Sequence, residues 1–96
     1  MTNVALIGLG YWGPNLARNI EAQADVHLHT LCDSRKQRLQ DIGLQYPRAK
    51  CQTDYISVVN DPDVDAIVIA TPVQTHYQLA LSALKAGKHV MVEKPL

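Results

Sequence analysis

Net charge is missing from this sequence: nine Lys and Arg balance nine Asp and Glu over 96 residues. That balance gives no electrostatic reason to bind nucleic acid or an anionic membrane surface, since both draw most of their affinity from excess positive charge. Long hydrophobic runs are missing too. The longest, residues 66–70 (AIVIA), is far too short to cross a bilayer. The opening MTNVALIGLG lacks the basic region and small-residue cleavage site of a secretory leader. Cysteine occurs only at Cys32 and Cys51, without metal-ligand spacing, so both read as buried free thiols and no metal site is expected. Together these features predict a soluble cytoplasmic protein with reduced thiols. Internal repeats, low-complexity segments and interdomain linkers are also absent, and the length suits one domain rather than two.

What is present is an alternation of short apolar runs with helical patterns. Residues 3–8 (NVALIG) read as a buried strand closed by glycine. Pro14 stands where a helix can start without its N–H, and Leu16, Ala17 and Ile20 follow at helical spacing. Residues 26–33 (VHLHTLCD) form a second strand ending in an acid. Leu39, Ile42 and Tyr46 make a helical stripe that Pro47 ends. Residues 50–53 are a weak third strand, and Asp54 caps a short helix running to Asn60. Residues 65–70 (DAIVIA) are a strong fourth strand. Thr75 and Gln78 fit a capping box, with Tyr77, Ala80, Leu81 and Leu84 as the expected buried stripe and Gly87 as a left-handed stop. Residues 88–93 are the fifth strand. This order predicts an α/β fold with a doubly wound five-stranded parallel sheet, strand order 3-2-1-4-5.

Gly8-Leu9-Gly10-Tyr11-Trp12-Gly13 spells G-x-G-x-x-G. Alone the pattern says little, because glycines are common in turns. Here it follows a strand, opens a helix, and has an acid at Asp33, twenty positions past Gly13. The expected division of labour is a tight turn at Gly8, close approach of a pyrophosphate at Gly10, and helix–strand packing at Gly13. The helix N-terminus would supply N–H donors and partial positive charge. Asp33 would accept from the adenosine ribose hydroxyls and repel a 2′-phosphate, favouring NAD over NADP. In the following Ser34-Arg35-Lys36-Gln37-Arg38, Arg35 or less readily Arg38 would flank the adenine or neutralise a 2′-phosphate; Lys36 and Arg38 otherwise read as a solvated helix face.

Two readings stand for Trp12 beside Tyr11: a ring shielding the cofactor, or a ring packed on the next loop. Ala70-Thr71-Pro72 falls at the carboxyl end of the fourth strand, where open α/β sheets place ligands, and His76 starts the next helix near the same crevice or stands as a surface residue. His27, His29 and His89 fall within strands and read as structural. Glu93 and Lys94 end the fifth strand on that same side. Lys94 suits proton donation or carbonyl polarisation if its pKa is lowered; on residue type alone it equally reads as an exposed lysine.

The segments GLGYWGPNLARN, CDSR and DVDAIVIATPVQTHYQLALSALKAGKHVMVEKPL resemble the glucose–fructose oxidoreductase / inositol dehydrogenase (Gfo/Idh/MocA) family over the whole chain. The resemblance implies that Lys94 is an active-site lysine contacting a sugar, that Glu93 and Pro95 shape the cofactor pocket, and that Thr71, Pro72 and His76 line the nicotinamide and its ribose. It also implies hydride transfer between nicotinamide and a hydroxyl of a sugar or nucleotide-linked sugar, the GYWGPN form resembling members acting on the latter. Homo-oligomers are expected. On this reading residues 1–96 are an NAD(P)-binding domain cut after E-K-P, inactive alone, with a substrate domain beyond it. The fifth strand then presents an exposed edge at His89–Val92 open to non-native self-pairing. The competing class is a nucleotide-binding or redox-sensing module without catalysis.

Overall fold

The computed structural model describes residues 1–92. Within them β1 (Thr2–Ile7), α1 (Gly13–Glu21), β2 (Val26–Cys32), α2 (Lys36–Gly43), β3 (Lys50–Gln52), α3 (Tyr55–Val59), β4 (Ala66–Ile69), α4 (Val73–Lys85) and β5 (His89–Val92) follow in order. All strand pairs are parallel, and the sheet order is β3-β2-β1-β4-β5, as the sequence predicts. Chain order reverses between β1 and β4, which opens a crevice at their carboxyl ends.

Side chains alternate across the sheet and fill two cores. Ala5, Ile7, Ile67 and Ile69 pack beneath α3 and α4 with Val58, Val59 and Ala83. Leu6, Leu28 and Leu31 pack on the other face with Ala17 of α1 and with Leu39 and Ile42 of α2. Leu28 and Leu31 are three apart yet share a face, which strict alternation forbids. The register explains it: Val4 pairs with Leu28 and Ala5 with Thr30, so His29 is an extra residue in β2. This bulge reverses the phase of the strand and decides on which side Asp33 emerges.

Helix starts and stops show local chemistry. Pro lies in the first turn of α1, Asp54 caps α3 by accepting from Ile56 N–H, and Gly87 ends the α4 region at φ 81°. Helix α2 stops at Gly43, so Tyr46 reaches the core from the turn beyond it.

Two local expectations fail at α4. The helix begins at Val73 behind Pro72 and has no side-chain cap, so the capping box does not form. Thr75 instead donates its hydroxyl to Pro72 O at 2.6 Å. Pro72, with φ −54° and ψ 145°, turns the chain from strand to helix without that help. The buried stripe is also rotated. Leu79, Ala80 and Ala83 face the sheet, while Tyr77, Leu81 and Leu84 are 76%, 37% and 59% exposed. Small residues at positions 80 and 83 let the helix lie close to the strands. Cys51, expected to be buried, is exposed on β3, whereas Cys32 is buried. Strand β5 closes one side of the sheet, and its Met91 and Val92 are exposed. No helix among the described residues is long and apolar enough to cross a membrane.

Gly8 is pressed against the backbone that leaves β4. Its φ is 101°, and an added Cβ would stand 2.8 Å from the carbonyl carbon and oxygen of Ala70. Gly8→Ala is therefore expected to destabilise the domain by about 2 to 4 kcal/mol in urea unfolding; an unchanged midpoint would show that the turn tolerates a side chain.

Candidate functional site

The crevice is a groove of about 630 Å3 at the carboxyl ends of β1 to β4, within the range of small-ligand sites. Gly8 leaves β1 by donating its N–H to Cys32 O at 2.8 Å. Around Gly10 the surroundings are the opposite of those at Gly8: a Cβ placed there would meet nothing within 4 Å. Gly13 is buried at the start of α1, where a Cβ would touch Leu9 Cβ at 3.3 Å. The three glycines thus serve a backbone conformation, an open approach and a close packing.

Asp33 is 7% exposed, and its carboxylate is fully engaged. Oδ2 accepts from Leu9 N–H at 2.8 Å and from Arg35 Nη2 at 2.9 Å. Oδ1 accepts from Arg35 N–H at 2.8 Å and Arg35 Nε at 3.0 Å. Burial disfavours its charge, but hydrogen bonds from Arg35 and Leu9 and the charge of Arg35 outweigh burial and hold the carboxyl below its ordinary range. The hydrogen bond to Asp33 and its charge raise the Arg35 guanidinium in turn. The Arg35 side chain is 60% exposed and lies on the solvent side of the carboxylate. A diol approaching Asp33 would take over the two acceptor positions that this guanidinium fills.

Of the residues singled out from the sequence, Gly8, Gly10, Asp33, Ser34, Arg35, Ala70, Thr71 and Pro72 line the groove. Tyr11 and Trp12 are not among the residues lining it; they are 87% and 44% exposed, edge to face with centroids 5.4 Å apart. His76 is half-buried behind the wall, its Nε2 2.6 Å from Thr71 O. Glu93 and Lys94 lie outside the described residues. Thr53, Tyr55, Thr75, Leu79 and Cys32 line the groove without having been singled out as site residues. Thr53 and Tyr55 follow β3, and the rule that ligands gather at carboxyl ends of strands points to them. The Tyr55 hydroxyl donates to Leu79 O; burial, then Cys32, pushes its pKa up to about 12. Arg38 departs from the solvated-face expectation: it donates from Nε to Leu9 O at 2.6 Å and from Nη2 to Gly10 O at 3.0 Å. Among the described residues no group of His, Cys, Asp and Glu could hold a metal.

Comparison with known proteins gives a consistent result. The family described as "Oxidoreductase family, NAD-binding Rossmann fold" (GFO_IDH_MocA) matches residues 2–96. The chain is 34% identical to myo-inositol 2-dehydrogenase of Thermotoga maritima over 97% of its own length and 28% of that protein's. To scyllo-inositol 2-dehydrogenase (NAD(+)) of Bacillus subtilis it is 33% identical, over 96% of this chain and 27% of that one. The structure of scyllo-inositol dehydrogenase from Lactobacillus casei with bound NAD(H) and scyllo-inositol superposes with a TM-score of 0.90 at 30% identity, over 99% of this chain and 28% of that one. The chain therefore spans little more than a quarter of these relatives.

Two predictions follow from the site's electrostatics. Burial, then the charges of Asp33 and Asp54, pushes the Cys32 thiol up to about 12. Iodoacetamide at about pH 8 should thus modify the exposed Cys51 in the native protein and reach Cys32 only on unfolding; equal labelling in a mass spectrum would contradict the burial. The folded-state pKa of Asp33 is lowered, so its stabilisation is complete above the ordinary carboxyl range near about pH 4 and is lost as pH falls through the lower folded value. Asp33→Asn should cost about 1 to 2 kcal/mol at neutral pH, chiefly through the buried Leu9 bond rather than the exposed arginine. It should also flatten the acid limb of a stability–pH curve; an unchanged limb would assign that limb to other carboxyls.

Proposed function

The chain belongs to the Gfo/Idh/MocA oxidoreductase family with its NAD-binding Rossmann fold, and from that membership we propose that it is the cofactor-binding domain of a dehydrogenase acting on a cyclic polyol, sugar or nucleotide-linked sugar. The observation that carries this reading is the ionised Asp33 beside the bare Gly10 in one groove. A carboxylate at the end of β2 suits the two hydroxyls of an adenosine ribose, and open space over Gly10 suits a diphosphate.

The bound dinucleotide would supply or take up the hydride. Asp33 orients the adenosine end once Arg35 gives up its two acceptor positions, and the carboxylate disfavours a 2′-phosphate, so NAD is preferred to NADP. Thr71 and Pro72, at the end of β4, form the wall toward the nicotinamide end, with His76 behind fixing the Thr71 carbonyl. Lys94 is assigned as the residue that holds or moves the proton of the substrate hydroxyl. The relatives named as inositol dehydrogenases support a polyhydroxylated ring as substrate. Two free thiols and nicotinamide chemistry fit a reducing cytoplasm.

NADH fluorescence titration of the chain tests the binding half of this proposal. Wild type should bind NADH more tightly than NADPH. Gly10→Ala should weaken NADH about tenfold or more with an unchanged melting temperature, because its Cβ meets no protein atom. A wild-type chain that binds neither nucleotide would sink the reading. In the enzyme that contains this domain, Lys94→Ala should lower kcat by about 10² to 10⁴ with NADH affinity intact; an unaltered kcat would remove Lys94 from the chemistry.

A further inference from the structure

Arg38 lies on α2, half-buried and outside the groove wall, yet its guanidinium is directed at the glycine turn. Nε donates to Leu9 O at 2.6 Å and Nη2 to Gly10 O at 3.0 Å. Gly10 O also accepts from Gly13 N–H at 3.1 Å. One cation therefore fixes the carbonyls of two successive peptide units, from 29 and 28 positions further along the chain. The planar fork of an arginine does this from two separate nitrogens held in fixed geometry, whereas a lysine ammonium carries its donors on one point.

The consequence concerns the other side of those peptides. In a planar trans peptide the carbonyl and the following N–H point in opposite directions. Leu9 O shares its peptide unit with Gly10 N–H, and Gly10 O shares its unit with Tyr11 N–H. With both oxygens turned to Arg38, both N–H groups turn away from it. Neither donates to a protein acceptor among the described residues, and the space over Gly10 is open. Two successive backbone donors left unspent on the side away from the cation are suited to anionic oxygen. The cation behind them polarises both peptides in the sense that favours an anion in front.

We propose that Arg38 is a positioning residue for the dinucleotide diphosphate: it does not touch the cofactor, but holds Gly10 N–H and Tyr11 N–H in the direction the phosphates require. This rests on the dinucleotide reading above. It also divides the work of two arginines. Arg35 is spent on Asp33 at the ribose end, and Arg38 is spent on the turn at the diphosphate end.

Calorimetric titration of the chain with ADP and with adenosine separates this role from a merely structural one. Adenosine meets the Asp33 end alone, whereas ADP also needs the turn. For Arg38→Met the expected result is about tenfold weaker ADP binding with adenosine affinity unchanged, the size of a lost charge-assisted bond. Arg38→Lys should fall between. ADP and adenosine weakened in proportion, or neither weakened, would overturn the role of Arg38 while leaving the dinucleotide site intact. If Arg38→Met fails to fold by circular dichroism, Arg38→Lys decides by the same ratio. A wild-type chain that binds neither ligand would overturn the dinucleotide reading itself, and this inference with it.

Discussion

The hydrogen bond from Leu9 N–H to the Asp33 carboxylate, 2.8 Å long and buried, holds the site together. It ties the end of β2 to the turn that leaves β1, two points 24 residues apart in sequence. A buried carboxylate in an apolar sheet end would ordinarily be costly. Here backbone donors and one arginine satisfy every acceptor position, and the carboxyl stays ionised. The same charge that is proposed to serve a ribose therefore also anchors the turn that a diphosphate would need. Stability and recognition share one group.

Around that bond the glycines, the arginines and the sheet order are arranged consistently. The reversal of chain order between β1 and β4 opens the crevice. Gly8 lets the chain pass Ala70 with no room for a side chain, and Gly10 leaves the facing space empty. Arg38 restrains the turn from behind, while Arg35 covers the carboxylate from the solvent side. Among the described residues each acceptor position of Asp33 has a donor, and Gly10 N–H and Tyr11 N–H donate to no protein acceptor. On the proposed reading, a removable arginine covers the end that would take the ribose, and the turn that would take the diphosphate keeps its donors.

Much of this was legible in the sequence because it depends on local chemistry. G-x-G-x-x-G after an apolar run, an acid twenty positions on, and alternating periods of two and 3.6 lead to the sheet order and to the groove. What escaped depends on geometry that no short pattern encodes. The extra residue at His29 reverses the face of β2, and VHLHTLC contains no glycine or proline to announce it. On α4 the larger side chains at 77, 81 and 84 suggested the buried face; of the expected stripe only Ala80 packs on the sheet, joined by Leu79 and Ala83. Arg38 looked like one more charge on a solvated helix, because its two carbonyl partners lie 29 and 28 residues earlier. Long-range contacts to backbone leave no trace in residue types.

The central claim is that one ionised carboxylate organises both the turn and the ribose site. The most direct test is the affinity of Asp33→Asn for NADH and NADPH relative to wild type at neutral pH, with folding verified by circular dichroism. The account predicts that NADH weakens by about tenfold to a hundredfold while NADPH, relieved of the facing charge, weakens much less, so that the preference between them narrows or reverses. Equal affinities in wild type and variant would contradict it.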